Sequence, residues 1–205
     1  MKLYLTSVAA RTLDKLLPFL EKSPKDLKVA FIPTAGDVYE EKPWMEADRN
    51  KLIELGFQVI DIDIKSKNKS VLQKELSSFD IIFVAGGNTS YLLEKAQECG
   101  FLEVVKNLVK NNVVYVGSSA GSLLAGPNIE MDKIYDIKER FGKKLISYEG
   151  LGLVDFVTLP HTDNPKYALY IEKIHRLYGD KYNLINLKDN QAILVQDNNW
   201  QMLEA

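Results

Sequence analysis

Ser119 lies in Gly117-Ser118-Ser119-Ala120-Gly121, a G-x-S-x-G stretch with small residues on both sides of a hydroxyl. It directly follows the apolar run Val113-Val114-Tyr115-Val116 and directly precedes Ser122-Leu123-Leu124-Ala125. That order reads as a strand, a tight turn and the start of a helix. Glycines there remove the side chains that would obstruct a sharp reversal, so the serine hydroxyl is lifted clear of the fold. The N-terminus of the following helix aims free N–H groups and a partial positive charge at any anion formed beside it. The chemistry indicated is acyl transfer to a serine nucleophile.

A serine hydroxyl needs a base, and histidine is the usual one. The chain has two histidines, His161 and His175. His161 lies in Thr158-Leu159-Pro160-His161-Thr162-Asp163-Asn164-Pro165, directly after an expected strand and between two prolines. His175 falls in an amphipathic, charge-rich helical stretch, where a solvated surface position is expected. His161 is therefore the candidate base. A carboxylate should fix its tautomer and steady its positive charge. Asp189, after an expected strand at residues 183–187, fits best, with Asp163 and Asp155 as competitors. Asp163 is so near His161 in sequence that shaping the loop suits it better. The order Ser119, His161, Asp189 differs from the Ser, Asp, His order of α/β-hydrolases.

Gly86-Gly87-Asn88-Thr89 follows the run Ile81-Ile82-Phe83-Val84-Ala85 and opens another helix. Paired glycines allow close backbone approach to a ligand, and Asn88 or Thr89 can cap the helix. Beside a serine nucleophile, the Gly87 and Ala120 N–H groups are the expected oxyanion donors. Asn88, Thr89 and Ser118 are candidate substrate contacts. No G-x-G-x-x-G follows an early strand and no Walker-type loop is present, so no nucleotide cofactor is expected, and no metal is called for.

These residues must be positioned by an alternation of β-rich and amphipathic segments, which argues for an α/β fold. Strands are expected at residues 2–7, 28–33, 58–64, 80–85, 113–116, 156–159, 183–187, 192–196 and 200–204. Helices are expected near 10–21, 40–55, 71–76, 91–99 and 102–111. The expected architecture is a mostly parallel central sheet with helices on both faces, and ligands sit outside the carboxyl ends of such strands. Asp197-Asn198-Asn199 marks a C-terminal antiparallel hairpin. Residues 131–150, charge-rich and without clear period, read as a surface excursion. The whole chain, residues 1–205, reads as a single domain.

With 205 residues and 46% hydrophobic content, the chain can bury one continuous core. A formal net charge of −2 carries no polyanion-binding signature, which argues against nucleic acid as a partner. No apolar stretch approaches the ~20 residues of a membrane span, and the N-terminus lacks a signal peptide pattern. The single cysteine, Cys99, precludes an internal disulfide and sits at an expected helix end capped by Gly100. A cytoplasmic protein is the default expectation, its oligomeric state unread.

Three blocks together resemble the dipeptidase E (aspartyl dipeptidase) family of serine peptidases, to which cyanophycinases are related. They are Ala85-Gly86-Gly87-Asn88-Thr89-Ser90-Tyr91-Leu92-Leu93, Val116-Gly117-Ser118-Ser119-Ala120-Gly121 and Leu159-Pro160-His161-Thr162-Asp163-Asn164. The resemblance spans nearly the whole chain, including Phe31-Ile32-Pro33-Thr34-Ala35-Gly36. It implies a fold similar to class I glutamine amidotransferases, with serine in place of their cysteine. It also implies Ser119 as nucleophile, His161 as base, Gly87 and Ala120 as oxyanion donors, and a small peptide as substrate. Asp189 falls where the family usually has glutamate. Ser118 replaces a bulky aromatic, and Lys166-Tyr167-Ala168-Leu169-Tyr170-Ile171 lacks the arginine that holds an aspartate side chain in aspartyl dipeptidases. Lysine is a poorer partner for a carboxylate than a bidentate guanidinium, which weighs against selectivity for N-terminal aspartate. The leading expectation is a serine peptidase of short peptides. The alternatives are a non-hydrolytic binding protein on the same fold, or an esterase or amidase of non-peptide substrates.

Overall fold

The computed structural model describes residues 1–134, 144–197 and 199–205. In chain order the elements are β1 (Lys2–Thr6), α1 (Ala9–Thr12), a 3-10 segment (Leu13–Phe19), β2 (Lys28–Ile32), α2 (Pro43–Glu54), β3 (Gln58–Asp61), α3 (Lys69–Leu76) and β4 (Ile81–Val84). There follow α4 (Thr89–Cys99), α5 (Phe101–Lys110), β5 (Val114–Ser118), α6 (Ala120–Ala125), β6 (Phe156–Leu159), α7 (Ala168–Tyr178), β7 (Asn183–Asn186), β8 (Gln191–Gln196) and β9 (Asn199–Glu204).

Seven strands form one sheet in the order β3-β2-β4-β5-β1-β8-β9. The first five run parallel, and β8 and β9 add the expected antiparallel hairpin. Asn198 of its turn lies outside the described residues. Every residue of β4, Ile-Ile-Phe-Val, is buried, as befits a strand covered on both faces. Alternation along β1 sends Leu3 and Leu5 into one core and Tyr4 into the other. The first core holds apolar residues of α3, α4, α5 and α6, and the second those of α1 and α2. Helix α5 shows why it belongs there: Phe101, Val104, Val105, Leu108 and Val109 recur at helical spacing and all are buried. In the second core Phe31 and Phe83 stack with centroids 5.0 Å apart.

Several elements differ from expectation. The helix expected over 10–21 is one α turn followed by 3-10 structure, with Pro18 inside it unable to donate a backbone hydrogen bond. The one expected over 40–55 starts at Pro43, a residue preorganised for a first helical position. The strands β6 and β7 leave the main sheet and pair with each other in parallel. Of the excursion at 131–150, residues 135–143 lie outside the described residues. Its return limb is tied to α4: the Lys144 N–H donates to Glu94 at 2.8 Å and the Ile146 N–H to Gln97 at 3.0 Å. No helix among the described residues is long and apolar enough to cross a membrane.

Because β1, β2, β4 and β5 run parallel, their carboxyl ends line one rim of the sheet. Thr6 is in register with Ser118, and Val84 with Gly117. The residues just beyond, Ser7, Gly86, Gly87 and Ser119, therefore share that rim.

Candidate active site

Ser119 links β5 to α6 at φ 48°, ψ −104°, a conformation that non-glycine residues rarely adopt. The turn is held on several sides. The Ser119 N–H donates to Thr6 O at 2.9 Å, and the Ser122 hydroxyl reaches Thr6 O at 2.8 Å and Gly117 O at 2.7 Å. The Tyr115 hydroxyl donates to Gly121 O at 2.7 Å, and full burial pushes its phenol far above the usual range. Gly121 has no room for a side chain, since a Cβ there would lie 2.1 Å from Val84 O.

Beyond β6, His161 also sits at positive φ, 64°. Its Nε2 is 2.9 Å from Ser119 Oγ, and its Nδ1 is 2.6 Å from Asp189 Oδ1. Tyr167 stacks on the imidazole with centroids 5.3 Å apart. The two side chains are partly enclosed, 22% exposed for His161 and 15% for Asp189, so the pair keeps one open side. Arg11 faces the outer oxygen of Asp189 at 4.0 Å while remaining mostly exposed. Asp163 accepts the Asp189 N–H at 2.9 Å, bracing the loop. Asp155 is exposed. His175 is a surface residue bonded to Asn186 at 2.9 Å.

The Gly86-Gly87 turn abuts the serine: a Cβ on Gly86 would lie 3.2 Å from Ser119 Cβ. Gly87 adopts φ +148°, and a Cβ there would lie 2.2 Å from Ala35 O. Only glycine fits such a position. The Gly87 N–H makes no backbone hydrogen bond among the described residues, and Ala120 is the first residue of α6, a position whose N–H has no intrahelical acceptor.

Asn88, Thr89 and Ser118 are all buried. Asn88 caps α4 by accepting the Tyr91 N–H at 2.8 Å. Thr89 and Ser90 bond the carboxyl of Asp132, which burial raises above its usual range. Ser118 points behind the turn, where its hydroxyl meets the Ala9 N–H at 3.4 Å and the carboxylate of Asp48. Asp48 also accepts the Ala10 N–H at 2.7 Å, and burial pushes its pKa up to about 6. The Asn88 side-chain oxygen and the Ser118 hydroxyl thus each meet a backbone N–H within the protein.

Sequence reasoning passed over Ser7, Tyr39 and Trp44. Trp44 donates its indole N–H to Gly86 O at 3.3 Å and meets Tyr39 edge-on at 5.3 Å, forming an aromatic wall beside the glycine turn. Ser7 contacts both His161 and Asp189. The strand expected at residues 2–7 includes Ser7 as its last residue, whereas β1 ends at Thr6 and leaves Ser7 at the carboxyl rim of the sheet.

The sequence profile of Peptidase family S51 matches residues 4–203. The chain is similar to Lin0382, an uncharacterized peptidase of Listeria innocua, at 31% identity over 95% of this chain and 92% of the relative. It is similar to peptidase E of Salmonella arizonae at 30% identity over 74% of this chain and 63% of that protein. Among solved structures, a Listeria monocytogenes EGD-e protein provisionally assigned as a peptidase E superposes with a TM-score of 0.90 at 28% identity, covering 100% of this chain and 98% of that one. With a family match running almost end to end, the chain belongs to peptidase family S51 and is a peptidase.

Proposed function

We propose that the protein hydrolyses short peptides of dipeptide size through an acyl-enzyme on Ser119, with His161 and Asp189 completing the triad. The observation that carries this reading is the unbroken hydrogen-bonded path Ser119 Oγ–His161 Nε2, 2.9 Å, and His161 Nδ1–Asp189 Oδ1, 2.6 Å. Asp189 accepts a hydrogen bond from the Nδ1–H, which turns the Nε2 lone pair toward the serine hydroxyl. Ser119 Oγ then bonds to the scissile carbonyl carbon as its proton passes to Nε2. The Gly87 and Ala120 N–H groups hold the oxyanion, and each such donor is typically worth ~10²–10³ in rate. The carbon–nitrogen bond breaks as His161 returns the proton to the leaving amine. Water adds by the same route, and the serine leaves with the proton restored.

Selectivity for N-terminal aspartate is not part of the proposal. The stretch from Lys166 to Ile171 supplies no arginine, and the Lys166 ammonium lies over the Tyr167 ring at 5.5 Å. A panel of dipeptides with a free-amine readout tests the reading. Hydrolysis abolished by His161→Ala is expected, with aspartyl dipeptides no better than neutral ones. Peptide turnover unchanged in His161→Ala contradicts the proposed chemistry.

A further inference from the structure

We propose that Ser7 is a positioning residue of this site, a hydroxyl at the end of β1 that fixes the Asp189–His161 pair relative to Ser119. The inference rests on the triad reading above and extends it to a fourth side chain. Ser7 is 1% exposed. Its Oγ accepts the backbone N–H of His161 at 2.8 Å, donates to Asp189 Oδ1 at 2.9 Å and lies 3.2 Å from His161 Nδ1.

A hydroxyl has one hydrogen to give and two lone pairs to receive with. Asp189 as a carboxylate can only accept, so the Ser7 hydrogen is committed to it. The His161 N–H takes one lone pair. The imidazole Nδ1 hydrogen is then directed to the nearer acceptor, Asp189 Oδ1 at 2.6 Å rather than Ser7 at 3.2 Å. Ser7 thereby holds Asp189 Oδ1 where it accepts the Nδ1 hydrogen, the arrangement that leaves Nε2 unprotonated toward Ser119.

The backbone argument is independent of the tautomer. His161 holds φ 64°, a conformation that persists only where its surroundings impose it. Ser7 supplies the acceptor for the N–H of that same residue. The preceding residue, Thr6, accepts the Ser119 N–H at 2.9 Å and exchanges bonds with Ser122 Oγ at 2.8 Å. The last residue of β1 and the one after it therefore grip the nucleophile turn and the base loop. One rigid strand end sets the distance between groups that are remote in sequence.

A double-mutant cycle separates this role from simple packing. The readout is inactivation by a fluorophosphonate probe, in wild type, Ser7→Ala, Asp189→Ala and the double variant. Ser7→Ala is expected to lower the maximal inactivation rate ~10–100-fold, with the half-saturating probe concentration within about threefold of wild type. In the Asp189→Ala background the same change should cost clearly less than in wild type, because the contact to Asp189 is gone and only the one to the His161 N–H remains. Equal losses in both backgrounds, or none in either, overturn the proposal. Ser7→Thr, which keeps the hydroxyl, should recover most of the rate. Should these variants prove unstable, the downfield proton resonance of the His161 Nδ1–H reads the contact directly in Ser7→Cys at low temperature. Broadening or an upfield move supports the role, and an unchanged signal overturns it. If His161→Ala instead reacts like wild type, the triad reading fails, and the resonance still tests the Ser7 contact.

Discussion

Ser119 and His161, whose side chains meet at 2.9 Å, both hold their backbones at positive φ, 48° and 64°. Each position carries strain of order 1–3 kcal/mol, imposed by the surrounding hydrogen bonds. Strain at both partners of one contact is the signature of a site where the fold has been shaped around a required geometry.

This relationship separates stability from activity. Ser119→Gly should be more stable than Ser119→Ala by roughly 1 kcal/mol, the relief of strain outweighing the extra freedom of glycine in the unfolded chain. Both should be inactive. Urea denaturation of the two variants checks it, and equal midpoints with equal slopes would show that the turn at position 119 is not strained.

Asp189→Asn keeps the shape of the side chain but can donate a hydrogen to Nδ1. The imidazole is then driven to carry its proton on Nε2, facing Ser119 with no lone pair. Peptide turnover should fall by ~10³–10⁴ with little change in fold. A loss below about tenfold would remove Asp189 from the mechanism.

Gly87→Ala should damage both the fold and the chemistry. Its Cβ would lie 2.2 Å from Ala35 O at a φ of +148°, so the turn must move and take the Gly87 N–H with it. The expected result is a rate loss of at least ~10² and a destabilisation of about 1–3 kcal/mol. Steady-state kinetics together with thermal unfolding measure the two parts. Full activity would exclude this turn from oxyanion binding.

Asp48 gives the chain a defined pH signature. Its folded pKa, raised to about 6 by burial, exceeds the ordinary 3.8, so the folded state binds more protons than the unfolded state between those values. Stability from this residue is therefore fully present below about pH 4 and is lost as pH rises through about 6. Asp48→Asn cannot ionise, and its stability relative to wild type should rise by on the order of 3 kcal/mol across that window and then level off. Denaturation curves from pH 4 to pH 8 test this, and a difference independent of pH would contradict it.

Much of this arrangement was legible from local pattern. The parallel strands announce themselves as apolar runs such as Ile81–Val84, and Ser119, His161 and Gly87 stand just past such runs. Side-chain chemistry offers Asn88 or Thr89 as the cap of α4, of which the structure uses Asn88, and it marks Gly100 as the left-handed residue at the helix end. What escaped depends on pairing at a distance. Ser7 gains its partners only because β1 lies between β5 and β8 in the sheet. Ser118 looks like a cleft residue in sequence, yet strand alternation turns it to Asp48, which arrives from α2. The pairing of β6 with β7 outside the main sheet has no local marker either, since both read simply as strands.

The most direct measurement is to treat the protein with a fluorophosphonate and locate the adduct by peptide mass spectrometry. A single modification on Ser119 is expected in wild type, absent in Ser119→Ala and strongly slowed in His161→Ala. Equal labelling of wild type and Ser119→Ala, or an adduct on a different residue, would contradict a nucleophile at position 119.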